Sequence, residues 1–321
     1  MSESRLVDVV AMTVEIRIGS LEPLKRVHSV RIESGWEALT DTAEIKIPRY
    51  LYFANEELRS SIKAGDAVEI WLGYNGLNRL EFSGFVTKVT TDMPVVVKCE
   101  DYMWKLKQVS VNRVFKKATL KSLLAAIIPE GIKVDAADLQ VGDIAIERST
   151  VAKVLQTLKD QYGIYSYMNG NTLVSGKVYL DNNERVEYGF EKNIIAHDLK
   201  YRTADEVKIK VTAECIRPDG TKMTAMVGDA DGEESKLVYS GITDINKLEA
   251  LAKLDLQRLK IDGYSGSLTS FGLPFVQHGA TAHLESKQYP ERAGNYYVDA
   301  VTTSWSPQGF RRDVRIGKKA S

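Results

Sequence analysis

Gly65-Asp66-Ala67-Val68-Glu69-Ile70-Trp71-Leu72-Gly73-Tyr74, then Asn75-Gly76, then Glu81-Phe82-Ser83-Gly84-Phe85-Val86-Thr87-Lys88-Val89 is the stretch that decides the fold. Apolar residues recur at every second position, the period of a strand with one buried face. Gly73 to Gly76 reads as the hairpin turn between the two strands, so its glycines are turn residues and not a phosphate-binding loop. The texture returns as Gly279-Ala280-Thr281-Ala282-His283-Leu284 and Asn295-Tyr296-Tyr297-Val298-Asp299-Ala300-Val301-Thr302. A glycine-initiated alternating strand with a second of its kind behind it, found twice, predicts two small antiparallel β-barrels of related topology. Such a duplication lets one chain fill two quasi-equivalent positions in a ring, which points to assembly and away from chemistry.

Working outward, residues 12–19, 27–33, 42–48 and 95–100 also alternate, and Pro48 ends its strand. With the hairpin at 65–89 these complete a first barrel over residues 1–105. A helical period follows. Thr119 is a candidate N-cap for a helix ending before Pro129, and Val151, Val154, Leu155, Leu158 and Tyr162 form one apolar stripe stopped by Gly163. A hairpin turning at Asn169-Gly170 comes next, so residues 106–190 read as an α+β insertion. Residues 191–321 return to strands, at 194–202, 206–216, 221–227, 265–269 and 311–316, and form a second barrel with an inserted helix over 244–261. The predicted class is mainly β with a helical and hairpin domain between two barrels.

The 321 residues exceed the usual size of a single core, which agrees with more than one domain. Lys plus Arg and Asp plus Glu both number 43, so the formal charge is zero and carries no electrostatic footprint for nucleic acid or an anionic membrane. Cys99 and Cys215 stand alone, without zinc-ligand spacing, and read as buried thiols in a reducing compartment. No apolar run reaches bilayer length, and residues 1–20 alternate and carry charge, unlike a secretory leader.

Several stretches together resemble one family. They are Leu39-Thr40-Asp41-Thr42-Ala43-Glu44-Ile45-Lys46-Ile47-Pro48, Gly65 to Ile70, Phe82 to Val86, the helix and hairpin from Val151 to Gly176, and Gly266-Ser267-Leu268 with Gly294-Asn295-Tyr296-Tyr297-Val298. In order, along nearly the whole chain, this resembles the hub proteins of contractile phage tails, the late control D or tail-hub family. That family is related to the base of spike proteins in other contractile injection systems. The resemblance implies a non-enzymatic baseplate hub, a homotrimer whose paired barrels form a pseudo-sixfold ring adapting a hexameric tail tube to a trimeric spike. The implied partners are further copies of the chain, the tube protein, the spike protein and other baseplate proteins. The implied location is the virion baseplate, assembled in host cytoplasm, with no membrane partner and nucleic acid met only as DNA passing through the lumen.

Motifs for chemistry are weak beside this. His28, His197, His278 and His283 are scattered, and the last two fit no common zinc spacing, so no metal, cofactor or catalytic residue is expected. Gly263-Tyr264-Ser265-Gly266 lacks the second glycine and the strand-to-helix turn of a nucleophile elbow. Asp229-Ala230-Asp231-Gly232-Glu233-Glu234 reads as an acidic surface loop, short of a calcium loop, and Asp205-Glu206 carries no acid–base signal. Trp36, Trp71, Trp104 and Trp305 are read as core or interface residues. Arg311, Arg312, Arg315, Lys318 and Lys319 fit a solvated edge strand, with a lumen-facing cluster as the alternative in a hub. The expected docking surface centres on Glu69, Trp71, Tyr74, His283 and Glu285. The rival readings are a tail-tip peptidase or cell-wall hydrolase and a ligand-binding β-barrel module.

Overall fold

The computed structural model describes residues 10–48, 62–90, 94–179, 185–217 and 221–320. The turn between the strands expected at 206–216 and 221–227 includes residues 218–220, which lie outside them. The first unit contains β1 (Met12–Ile18), β2 (Ser29–Gly35), β3 (Thr42–Ile47), β4 (Ala67–Tyr74), β5 (Leu77–Thr90) and β6 (Val95–Glu100). Alternation does what the sequence predicts: Val14, Ile16 and Ile18 of β1 and Val68, Ile70 and Leu72 of β4 enter one core, and the residues between them face outward. Asn75 and Gly76 both take positive φ, 52° and 81°, as a type I′ hairpin turn requires.

The insertion holds α1 (Met103–Gln108), β7 (Ser110–Thr119), α2 (Leu120–Ile127), β8 (Lys133–Ala136), β9 (Gln140–Thr150), α3 (Val151–Tyr162), β10 (Ser166–Asn169) and β11 (Thr172–Ser175). Thr119 and Ser122 form a reciprocal capping box at the start of α2. Thr150 caps α3, which ends at Gly163 in the left-handed conformation, φ 64°. The apolar stripe of α3 buries Val151, Val154, Leu155 and Leu158 against α1, α2 and β11 in a core separate from the first. The β7–β9 ribbon has no counterpart in the sequence reading, because three register shifts break its alternation.

The remainder contains β12 (Arg185–Gly189), β13 (Ile194–His197), β14 (Lys200–Arg202), β15 (Ile209–Ile216), β16 (Lys222–Gly228), β17 (Glu233–Tyr239), α4 (Ile245–Leu259), β18 (Gly263–Phe271), β19 (Thr281–Glu285), β20 (Gly294–Ser306) and β21 (Gly309–Lys319). The strands and helix expected inside the second barrel leave it: β16-β15-β17 form a sheet of their own, and α4 packs Leu248 and Ala252 onto it in a distinct core. What stays behind runs β12-β19-β20-β21-β18-β13, the same order as β1-β4-β5-β6-β3-β2.

The match extends to single hydrogen bonds. Gly65 N donates to Val86 O and Val86 N to Asp66 O, at 2.8 and 2.9 Å; Gly279 N donates to Val298 O and Val298 N to Ala280 O, at 2.7 and 2.9 Å. Both glycines have positive φ, 94° and 83°. A bulge follows at the same place in each unit, after Val86 in β5 and after Val298 in β20. One strand departs from the repeat: β1 runs antiparallel to β4, whereas β12 runs parallel to β19.

The two closed barrels expected from the sequence are corrected to one continuous 13-stranded sheet. Closing the first unit would require β2 to pair with β1. Instead Val30 to Gly35 of β2 pair with Ala300 to Trp305 of β20, so the free edge of one unit is consumed by the other. The tip of the β20–β21 hairpin, with Trp305 and Phe310, is buried in the first unit's core.

Candidate docking surface

The matched register places four of the five expected docking residues at equivalent positions. Gly65 corresponds to Gly279, so Glu69 corresponds to His283 and Trp71 to Glu285, and all four lie on the outward face of β4 or β19. Tyr74 falls on the opposite face, where it packs on the first core with its ring 5.5 Å from that of Phe310. It therefore presents no free surface comparable to the other four.

The two outward patches differ in chemistry. In the first unit Arg17 stands opposite Glu69, with a guanidinium nitrogen 3.7 Å from its carboxylate and the group 5.3 Å from the Trp71 ring centre. Trp71 Nε1 donates to Glu69 at 3.1 Å, so the side chains form one connected polar and aromatic surface. In the second unit Glu187 takes the place of Arg17, directly opposite His283. His283 shares its face with both Glu187 and Glu285, because β12, which the sequence pattern missed, lies alongside β19.

Beneath the surface, the basic C-terminal cluster is not a solvated edge. β21 lies between β20 and β18, and Arg312 is 1% exposed. Its guanidinium donates to both oxygens of Glu81, at 2.9 and 2.5 Å, to Thr303 Oγ1 at 2.9 Å and to Gly272 O at 2.8 Å. Burial raises the Glu81 carboxyl above its ordinary value despite the pull of Arg312. The pair ties β5 of the first unit to β21 of the second. A signal for the burial of Arg312 exists in the sequence, since it has the same parity as the buried Phe310, Val314 and Ile316. The other cluster members are engaged individually: Arg315 pairs with Glu37 at 2.6 Å, and Lys319 donates to Asp262 O at 3.0 Å.

A cavity of about 170 Å³ opens beside this pair, lined by residues of the first unit, of the β10–β11 hairpin and of the 275–278 segment. His278 Nε2 lies 3.5 Å from Asp41 Oδ2, and the Asp41 amide donates to Asp101 Oδ2 at 2.9 Å. Burial, with the Asp41 carboxylate beside it, raises Asp101 well above the usual carboxylate range. Asp101 also accepts from the amide of Met103, so its carboxyl joins the 41 region of the first unit to the start of α1 at the junction with the insertion.

The stretches weighed for chemistry resolve into structure. Ser265 sits within β18, in a strand and not at a nucleophile elbow. Asp229 pairs with Lys260, and Asp231 with Lys208. Cys99 and Cys215 are buried and free, and burial pushes the Cys99 thiol up to about 12. No helix among the described residues is long and apolar enough to cross a membrane.

No family model and no curated protein sequence matches the chain. Solved structures do. A tail protein from Neisseria meningitidis shares 17% identity at a TM-score of 0.62, with 97% of each chain covered. The 43 kDa tail protein of prophage MuSo2 from Shewanella oneidensis shares 16% identity at 0.61, covering 95% of this chain and 98% of that one. An Escherichia coli component of the type VI secretion system, described as structurally similar to bacteriophage T4 tail proteins, shares 10% identity at 0.57, covering 95% and 77%. The chain has the fold of these phage-tail and secretion-system proteins, as its resemblance to the tail-hub family implied.

Proposed function

We propose that the chain is a non-enzymatic structural hub of a phage-tail or related baseplate, in which three copies form a pseudo-sixfold ring between a hexameric tube and a trimeric spike. The observation that carries this reading is the internal repeat, with one strand order and one bulge used twice in a single chain. A heterologous contact between unlike units of neighbouring copies closes into a ring when the rotation permits. Each copy then offers two related outward patches, Glu69 with Trp71 and His283 with Glu285, to a sixfold partner. In this reading β1 to β6 of the first unit and β12, β13 and β18 to β21 of the second supply the ring, and the helical and hairpin insertion of α1 to α3 with β7 to β11 retains threefold symmetry for the spike side. The similarity to tail proteins over nearly the full chain supports a virion baseplate location.

Light scattering of the purified chain, alone and mixed with its tube protein, tests the reading. The expected result is a trimer, or a defined complex on mixing that weakens when Trp71 is replaced by Ala. A persistent monomer that binds neither tube nor spike protein overturns it.

A further inference from the structure

The outward face of the second unit carries a side-chain group that strand packing does not require. Glu187 and His283 are direct neighbours in the parallel β12–β19 pair, and Glu285 lies two residues further along the same face of β19. One ligand-capable atom from each of the three lies within 4.8 Å of the others. The geometry points to a binding site for a divalent transition-metal ion of the zinc class, held by Glu187, His283 and Glu285.

His283 is already oriented for such a role. Its Nδ1 lies 2.8 Å from Asn295 Oδ1 on β20. In the tautomer that donates Nδ1–H to this carbonyl oxygen, Nε2 keeps its lone pair for a metal. A ring N–H donated to a neighbouring carbonyl is the usual second partner of a zinc-bound imidazole. The carboxylates are steadied in a similar way. Arg185 Nε donates to Glu187 Oε1 at 2.9 Å, and Lys192 holds Glu285 Oε1, so each glutamate keeps a second oxygen. Zinc bonds to nitrogen and oxygen of about 2.0–2.2 Å place tetrahedral donors about 3.3 Å apart. On binding, the donors would draw in from a spacing within 4.8 Å to that separation. One imidazole with two carboxylates suits this class better than calcium or magnesium, which favour oxygen alone, and it leaves a coordination position for water.

The repeat supplies an internal contrast. At the corresponding positions of the first unit, Arg17 faces Glu69 and covers Trp71, so a guanidinium stands where the second unit has a third ligand. The difference falls on β12, the strand whose direction breaks the repeat and whose ladder partner, among the described residues, is β19 alone. An ion bridging Glu187 to His283 and Glu285 pins that strand to the sheet.

The test uses the full chain, stripped with EDTA and titrated with zinc chloride by calorimetry. One saturable ion per chain is expected. Replacing His283→Ala lowers the affinity at least tenfold, and Asn295→Ala lowers it about tenfold through the imidazole it orients. His28→Ala, an exposed histidine elsewhere, leaves it unchanged. Cobalt in place of zinc gives visible ligand-field absorption that is lost in His283→Ala. Circular dichroism of the metal-free variants checks folding, and Glu285→Gln replaces His283→Ala if the latter misfolds. Absence of saturable binding, or wild-type affinity in a folded His283→Ala or Glu285→Gln chain, overturns the proposal. The measurement needs no assembly partner, so its failure is distinguishable from failure of the hub reading.

Discussion

Arg312 shows how much one residue carries when its charge is taken out of water. Its guanidinium satisfies Glu81, Thr303 and Gly272 together, and breaking such a pair by removing one partner leaves the other charge buried alone. Arg312→Met is expected to cost about 3–5 kcal/mol, read from urea unfolding, and Arg312→Met with Glu81→Leu to recover most of the loss. A single variant as stable as wild type would refute this. Asp299 makes the opposite case. Its Oδ1 accepts from Trp36 Nε1 and from the Tyr179 hydroxyl, both at 2.9 Å, yet burial raises its carboxyl above the ordinary value. The folded state therefore binds this proton more tightly than the unfolded state, and the group's contribution to stability falls as pH rises through the interval between ordinary and raised values. Asparagine keeps an oxygen for both donors and carries no charge. Asp299→Asn should raise the melting temperature at neutral pH, with the gain gone below about pH 4, where aspartate is protonated in both states. A lower melting temperature at neutral pH would contradict it.

At the scale of elements, local chemistry and close packing act together. The caps at Thr119 and Gly163 and the turn at Asn75-Gly76 sit where the sequence places them, since each depends only on neighbouring residues, whereas the second hairpin turns at Gly170-Asn171, one residue beyond the expected Asn169-Gly170. The glycines inside β4 and β5 answer to a different demand. A methyl group on Gly84 would lie 2.1 Å from the Glu100 carbonyl oxygen, and one on Gly73 would lie 2.0 Å from that of Leu77. Backbone passes across these positions at a distance that excludes any side chain. Gly84→Ala is expected to destabilise the chain by about 1–3 kcal/mol, the usual cost of overpacking, measured by chemical denaturation. Unchanged stability would mean that the strands can separate there at no cost.

For the whole molecule, the decisive feature is the β20–β21 hairpin, which begins in the second unit and ends in the core of the first. Phe310 is fully buried there, and its ring occupies the space where Gly272 has no side chain. Phe310→Ala is expected to cost about 3–5 kcal/mol and to separate calorimetric unfolding into two transitions, because it removes the anchor between the units. One unsplit transition at the wild-type temperature would show that the anchor is dispensable. The sequence by itself determined the β class, the repeat, the cap and turn positions, and outward placement for Glu69, Trp71, His283 and Glu285, because side-chain period and turn geometry are short-range properties. Only the tertiary structure decided that β2 gives its edge to β20, so that the sheet stays open, and that β15 to β17 leave for a core with α4. It also decided that Glu187 meets His283 and that Arg312 meets Glu81 across 231 residues of chain. These pairings follow from which edges and charges remain unsatisfied once the sheets have formed, and no local pattern of residues encodes that choice.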